Sequence, residues 1–221
     1  MFGIYLEIRI SSGMSDAVSL KNKITVVVLG RSGSGKGTQA RFILARLGKG
    51  AYHMETGRFL REVLKRKNPT TKIGQEIMDS GRLFPVWFVI YTWLRELISH
   101  GHADRHLVYD GAPRRLPEAK MLDEVITTHG RPLPVCIYVD VRPSEVTRRL
   151  LERGRADDTR ALIRNRLSYF PIHVLPVIRY YRTQGRLIHI NGNRPVEAVW
   201  RDIDRILGKR FKKLWPRRPK K

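Results

Sequence analysis

The chain has 221 residues, with 43 Lys and Arg against 20 Asp and Glu, which gives a formal net charge of +23. That length suits one domain of ordinary size, and a hydrophobic fraction of 42% is enough for a real core. No apolar run approaches the roughly 20 residues of a membrane helix, and one cysteine, Cys136, excludes an internal disulfide and a multi-cysteine zinc site.

In chain order, residues 1–22 form an N-terminal extension that is neither a good signal peptide nor a membrane segment. Three readings stay open for it: an edge strand over Ile4–Ile10, a lead without order, or a start-codon choice, since Met14 is also available. Ile24–Leu29 reads as a buried strand and Gln39–Leu47 as a helix. Ala51–Met54 is a short strand. Thr56–Lys67 is helical, with Phe59, Leu60, Val63 and Leu64 on one face. Lys72–Ser80 and Pro85–His100 follow as helices, then His106–Asp110 as a strand ending in Asp-Gly. Pro117–His129 is a helix, Val135–Asp140 a strand and Pro143–Arg153 a helix. Asp158–Gln184 is a long helical stretch bent near Pro171 and Pro176. Leu187–Ile190 and Pro195–Leu207 supply the last strand and helix.

Strands that alternate with helices make a parallel five-stranded sheet with helices on both faces, an α/β domain over residues 23–207. No linker or internal repeat divides it. Residues 208–221, GKRFKKLWPRRPKK, carry many cations and no acid, and are expected to lack order. Cys136 lies in an apolar run and reads as a buried small hydrophobe. A reducing, cytoplasmic setting is expected.

The chemistry centres on LGRSGSGKGTQ, residues 29–39, between the first strand and its helix. A Gly-rich turn at that place aims backbone N–H groups at one point, and the helix N-terminus adds its positive end. Gly33 and Gly35 allow the tight path, and Lys36 reaches the phosphates of a nucleoside triphosphate. Gly37 stands between Lys36 and Thr38, where the commonest phosphate loop has Ser or Thr directly after Lys.

GKGTQ is narrower than the general pattern, and here the sequence resembles the adenylate kinase family of nucleoside monophosphate kinases, in its short-lid form. METGRFLR (54–61), GQEIMDSGRLFP (74–85), YDGAPRRLPEA (109–119), RLLERGRADDTRALIRNRL (149–167) and NGNRPVEAV (191–199) resemble further family motifs in order. The resemblance implies a P-loop NTPase-like fold with a small helical insertion for the monophosphate at about 54–84 and a short lid at about 153–158. It implies ATP and Mg²⁺ as cofactors and a nucleoside monophosphate as substrate, with no zinc, no membrane partner and a monomeric enzyme.

Residue by residue, the resemblance places ATP on Gly33, Ser34, Gly35, Lys36, Gly37, Thr38, Arg149, Arg153 and Arg194. It places the monophosphate on Thr56, Arg61, Arg82, Leu83, Phe84, Gly111, Arg114, Glu118, Arg155 and Arg166. Lys36, Asp110, Arg114, Arg149, Arg155 and Arg166 carry the chemistry. For each arginine the plainer alternative is a solvated basic helix face. Mg²⁺ keeps its waters, so Asp110, with Thr38 nearby, would hold its hydration shell rather than bind it directly. Asp157 and Asp158 resemble a lid pair that holds arginines in the closed state.

Three acceptor-side positions depart from the family: Arg58 for Asp, Ala112 for Phe and Glu118 for Gln. An ionised Glu only accepts hydrogen bonds, which suits the donors of guanine or the amino group of cytosine. Thr56 resembles AMP-selective members. AMP stands first, with CMP/UMP or GMP as alternatives. A rival of another class is a nucleic-acid-binding P-loop protein whose tail makes non-specific contact with RNA or other polyanions, stacking Phe211 and Trp215 on bases. Arg61, Arg114 and Arg166 at kinase spacing favour the enzyme.

Overall fold

A computed structural model describes residues 20–155 and 158–217. The expectations for Ile4–Ile10, Asp157 and the last four residues lie outside that range.

Five strands form the sheet: β1 (Thr25–Leu29), β2 (Ala51–Glu55), β3 (His106–Asp110), β4 (Val135–Asp140) and β5 (Leu187–Asn191). Their order is β2-β3-β1-β4-β5, and every pairing is parallel. A parallel sheet must be covered on both faces, so β1 reads as an uninterrupted apolar run. Val27 and Leu29 join Leu107, Tyr109, Cys136 and Tyr138 on one face. Val26 and Val28 join Val108, Val135, Ile137 and Val139 on the other.

The first face is covered by α2 (Thr56–Leu64), α4 (Val86–Ser99), α5 (Leu116–Thr128) and α8 (Leu175–Thr183). The second is covered by α1 (Lys36–Leu47) and α9 (Val196–Phe211) through Ile43, Ile203 and Leu207. The remaining helices stand at the C-terminal edge of the sheet or beside it: α3 (Pro69–Asp79), α6 (Pro143–Arg153) and α7 (Arg160–Tyr169). α3 begins at an Asn68 capping box with Pro69 in its first turn. The long stretch read as one bent helix is interrupted by a π-turn at Phe170–Val174, which holds Pro171. Among the described residues no helix is long and apolar enough to cross a membrane.

The tail differs from expectation. α9 continues through Phe211, a 3₁₀ turn follows at Lys212–Leu214, and Trp215 is buried. The indole N–H of Trp215 donates to Asp204 at 2.9 Å. Arg46 of α1 pairs with the same carboxylate at 3.1 Å and donates to the Pro216 carbonyl. The run of cations hid this anchor, because one aromatic with a buried partner orders the ten residues 208–217.

Candidate functional site

β1 hands the chain to the Gly-rich loop and then to α1, with β3 on one side and β4 on the other. This is the switch point of the sheet, where a loop opens onto the C-terminal edge instead of packing under a crossover. Gly33 and Gly35 have φ of +83° and +84°, a region that L side chains avoid. A Cβ at Gly33 would also lie 2.9 Å from the Val146 carbonyl, so α6 backs directly onto the loop.

The loop forms one wall of a cleft of about 520 Å³. Gly33, Gly35, Lys36, Gly37 and Thr38 line it on one side, and Arg61, Arg82, Phe84, Gly111 and Arg114 on the other. Arg149, Arg153, Arg155 and Arg166 line it from α6, the lid and α7. Asp110 lies at its floor, at the end of β3. Residues from five separate motifs therefore meet in one place.

Gly37 answers the question its position raises. A Cβ there would lie 3.0 Å from Asp110 Oδ2, so the carboxylate sits directly against the first turn of α1, beside Lys36 and Thr38. That set offers hard oxygens, a carboxylate and a hydroxyl, and no nitrogen or sulfur ligand group. It fits a Mg²⁺ ion that keeps most of its waters. Among the described residues no group of three or more His, Cys, Asp or Glu is placed to hold a metal.

The charge balance follows from the geometry. Burial pushes the Lys36 ammonium below the usual lysine range; Asp110 opposes the shift, and Arg114, Arg153 and Arg166 add to it. A buried lysine with three arginines nearby and Asp110 as the opposing carboxylate marks a cavity suited to an anionic ligand.

Among the described residues, Asp158 gathers the lid arginines. Asp158 accepts from Arg153 Nε at 2.8 Å and Nη2 at 2.7 Å, from Arg166 Nη1 at 3.2 Å and from the Arg155 backbone N–H at 3.4 Å. Its side chain is 1% exposed. Arg149 is steadied by Glu145 at 2.7 Å and the Gly192 carbonyl at 3.2 Å, and Arg114 by the Tyr169 hydroxyl at 3.3 Å.

Five expected site residues do not line the cleft. The N–H of Ser34 donates to the Arg31 carbonyl at 3.0 Å, and its side chain is buried against Gly30. It closes the turn. Thr56 is buried beneath Gly111, and Leu83 is half-buried outside the cleft wall. Arg194 is drawn onto α9 by Asp202. Glu118 is buried, and its Oε2 accepts the Arg114 backbone N–H at 2.7 Å. It sits in the first turn of α5, where a carboxylate reaches back to free amides before the helix. Arg58 is turned away too, onto the Tyr52 hydroxyl and the Phe59 ring.

Residues that were not singled out in the sequence also shape the cleft. His53 lies on the wall with Nε2 3.8 Å from Asp110, and alternation along β2 puts Glu55 on the same side. Tyr169 holds Arg114. Arg31 is the most informative. Its carbonyl closes the loop at Ser34, and its guanidinium reaches Asp140 at 3.2 Å and the Val141 carbonyl at 3.1 Å. It also lies 4.3 Å over the Phe170 ring, one helical turn beyond Arg166. Arg31 is a positioning residue that ties the loop to β4 and to the helix carrying Arg166. Arg31→Met is expected to lower kcat about tenfold while the KM for acceptor stays level, as a displaced loop would. A kcat equal to that of the parent would show that the loop holds itself.

The comparisons agree with this geometry. A family model described as adenylate kinase matches residues 28–186. The chain is 34% identical to adenylate kinase 1 of Synechocystis sp. over 182 residues, 82% of this chain and 96% of that protein. It is 33% identical to adenylate kinase 1 of Nostoc sp., covering 83% of this chain and 98% of that protein. It is 31% identical to adenylate kinase of Bacteroides fragilis, covering 81% and 96%. With its phosphate loop, lid and both arginine walls in one cleft, the chain belongs to the adenylate kinase family.

Proposed function

We propose that this protein transfers the terminal phosphoryl group of MgATP reversibly to AMP, so that ATP and AMP become two ADP. The observation that carries the reading is the pairing of two phosphate-binding walls in one cleft. The loop with Lys36 suits a triphosphate, and Arg61 with Arg114, across from it, suits a second phosphate. A nucleotide hydrolase needs only the first. The similarity to proteins named adenylate kinase supports AMP as the acceptor.

In this reading Lys36 and the loop amides hold the donor phosphates, and Arg149 and Arg153 lie along the donor. Arg61 and Arg114 fix the acceptor phosphate in line. An oxygen of that phosphate attacks the terminal phosphorus, the bond to the bridging oxygen breaks, and ADP leaves with the electron pair. The attacking oxygen is already anionic, so no general base is required. Arg155 and Arg166 neutralise the group in transit, and the lid at 153–158 excludes water when it closes. Mg²⁺, with its waters held by Asp110 and Thr38, would neutralise charge on the donor phosphates. One chain supplies both walls, so a monomer is sufficient for the reaction.

Glu118 does not argue against AMP. Burial pushes its carboxyl up, toward the neutral form, with the Arg114 N–H opposing. Its Oε2 is taken by the Arg114 backbone N–H and the side chain lies off the cleft lining, so no ionised acceptor is turned to the base. ADP formation from MgATP with AMP, CMP, UMP, GMP and dTMP in parallel tests the assignment. AMP is expected to be the preferred acceptor. Glu118→Gln is expected to keep that preference, with KM for AMP within about threefold, well under 1 kcal/mol. Turnover with GMP or CMP in place of AMP would overturn the assignment and make Glu118 the specificity switch.

A further inference from the structure

We propose that the exposed face of α9, with the turn that follows it, binds the phosphodiester backbone of nucleic acid. The inference is independent of the phosphotransfer reading, since no residue lining the cleft lies on α9.

Arg201, Arg205 and Lys209 recur every four residues along α9 and are all exposed. On a helix that spacing makes one stripe, with a cation about every 6 Å. Arg210, Lys212, Lys213 and Arg217 flank its end, in the last turn and the segment after it, and all are exposed. The acids nearby do not cancel it. Asp204 is turned inward to Arg46 and Trp215. Asp202 is shared by Arg194 and Arg205, and Glu197 stands at the far end of the helix.

The substrates do not explain this charge either. A phosphate monoester carries about two negative charges, and the cleft has its own arginines for them. A nucleic-acid strand in a duplex carries one phosphate per about 3.4 Å. A strand laid along α9 would therefore meet a cation at about every second phosphate.

The structure also decides the mode of binding. Trp215 is sealed in the core and Phe211 is half-buried, so neither aromatic is free to stack on bases. What remains is backbone contact, which is independent of sequence and sensitive to salt. The one large exposed apolar side chain on this helix is Val196, at its start. An anionic membrane would gain little buried area from such a face, so the observations favour nucleic acid.

The test is fluorescence anisotropy with a labelled mixed-sequence single strand of about 20 nucleotides, in excess ADP to fill the cleft, across a salt series. The triple variant R201E/R205E/K209E is expected to bind at least tenfold more weakly. Its slope of log affinity against log salt should be shallower by about 2, three contacts at about 0.7 each. A control reversal of the exposed Lys65, Arg66 and Lys67 should cost less than about threefold, and phosphotransfer should be unchanged in the α9 variant. R201Q/R205Q/K209Q, smaller in charge change, serves if the Glu variant melts early. Equal losses in the α9 and control variants would overturn the proposal in favour of diffuse charge. Failure of the parent to bind the strand, with α9-dependent binding to phosphatidylserine vesicles, would overturn it in favour of a membrane surface.

Discussion

Lys36→Met is expected to lower kcat by about 10³-fold or more and to leave the fold intact. Met keeps the length and apolar stem of lysine but removes the charge that meets the donor phosphates. The stability outcome follows from the electrostatics. Burial and three arginines push the ammonium below its ordinary value, with Asp110 opposing. Where a lysine is depressed on folding, the unfolded chain binds more protons, so the charged group costs stability below its unfolded pKa. Met removes that cost, and the variant is expected to melt at or above the parent's temperature. Loss of activity with a raised or equal Tm identifies Lys36 as a binding group placed at the expense of the fold. Near-parental kcat would sink the mechanism, and a large fall in Tm would make Lys36 a structural residue.

Much of the scaffold was legible in the sequence because parallel strands announce themselves. Thr25–Leu29, His106–Asp110 and Val135–Asp140 are apolar runs covered on both faces, and each ends at a residue of the site or of its supports. The phosphate loop was legible for a similar reason: glycines at fixed spacing answer to backbone geometry, which local sequence sets. The expected residues that do not line the cleft share another cause. Ser34, Glu118, Thr56 and Arg194 sit at family positions, yet whether a side chain faces a cleft depends on partners distant in the chain or on a free amide nearby. The Arg114 N–H claims Glu118, and Asp202 claims Arg194. Arg31 went unnoticed because its partners, Asp140 and Phe170, lie more than 100 residues away along the chain. The tail was judged by net charge, and charge is silent about one buried tryptophan.

Asp158 is the residue on which the lid depends, and its replacement is the second large effect. Burial pushes its carboxyl up, but the Arg153 fork, the Arg155 N–H and Arg166 outweigh it, so the group sits below the ordinary Asp value. Asp158→Ala removes the carboxylate that lies between Arg153 and Arg166, beside Lys36. Breaking a buried pair on one side costs about 3 kcal/mol here, the lower end of the usual range because Arg153 is a third exposed. For a chain of this size that lowers Tm by about 10 °C. Arg155 and Arg166 lose their common anchor, so kcat should fall about 10²-fold. Asp158→Asn separates charge from shape. A carboxyl depressed on folding stabilises the protein above its unfolded pKa, near 3.9, and that stability is lost as pH falls through the folded value. The difference in Tm between parent and Asp158→Asn should therefore be full at neutral pH and close below about pH 4. A difference that persists unchanged into acid would mean that shape, not charge, holds the lid arginines. Parental Tm and kcat in both variants would mean that Arg153 and Arg166 are positioned by their own helices, and the lid would close without this carboxylate.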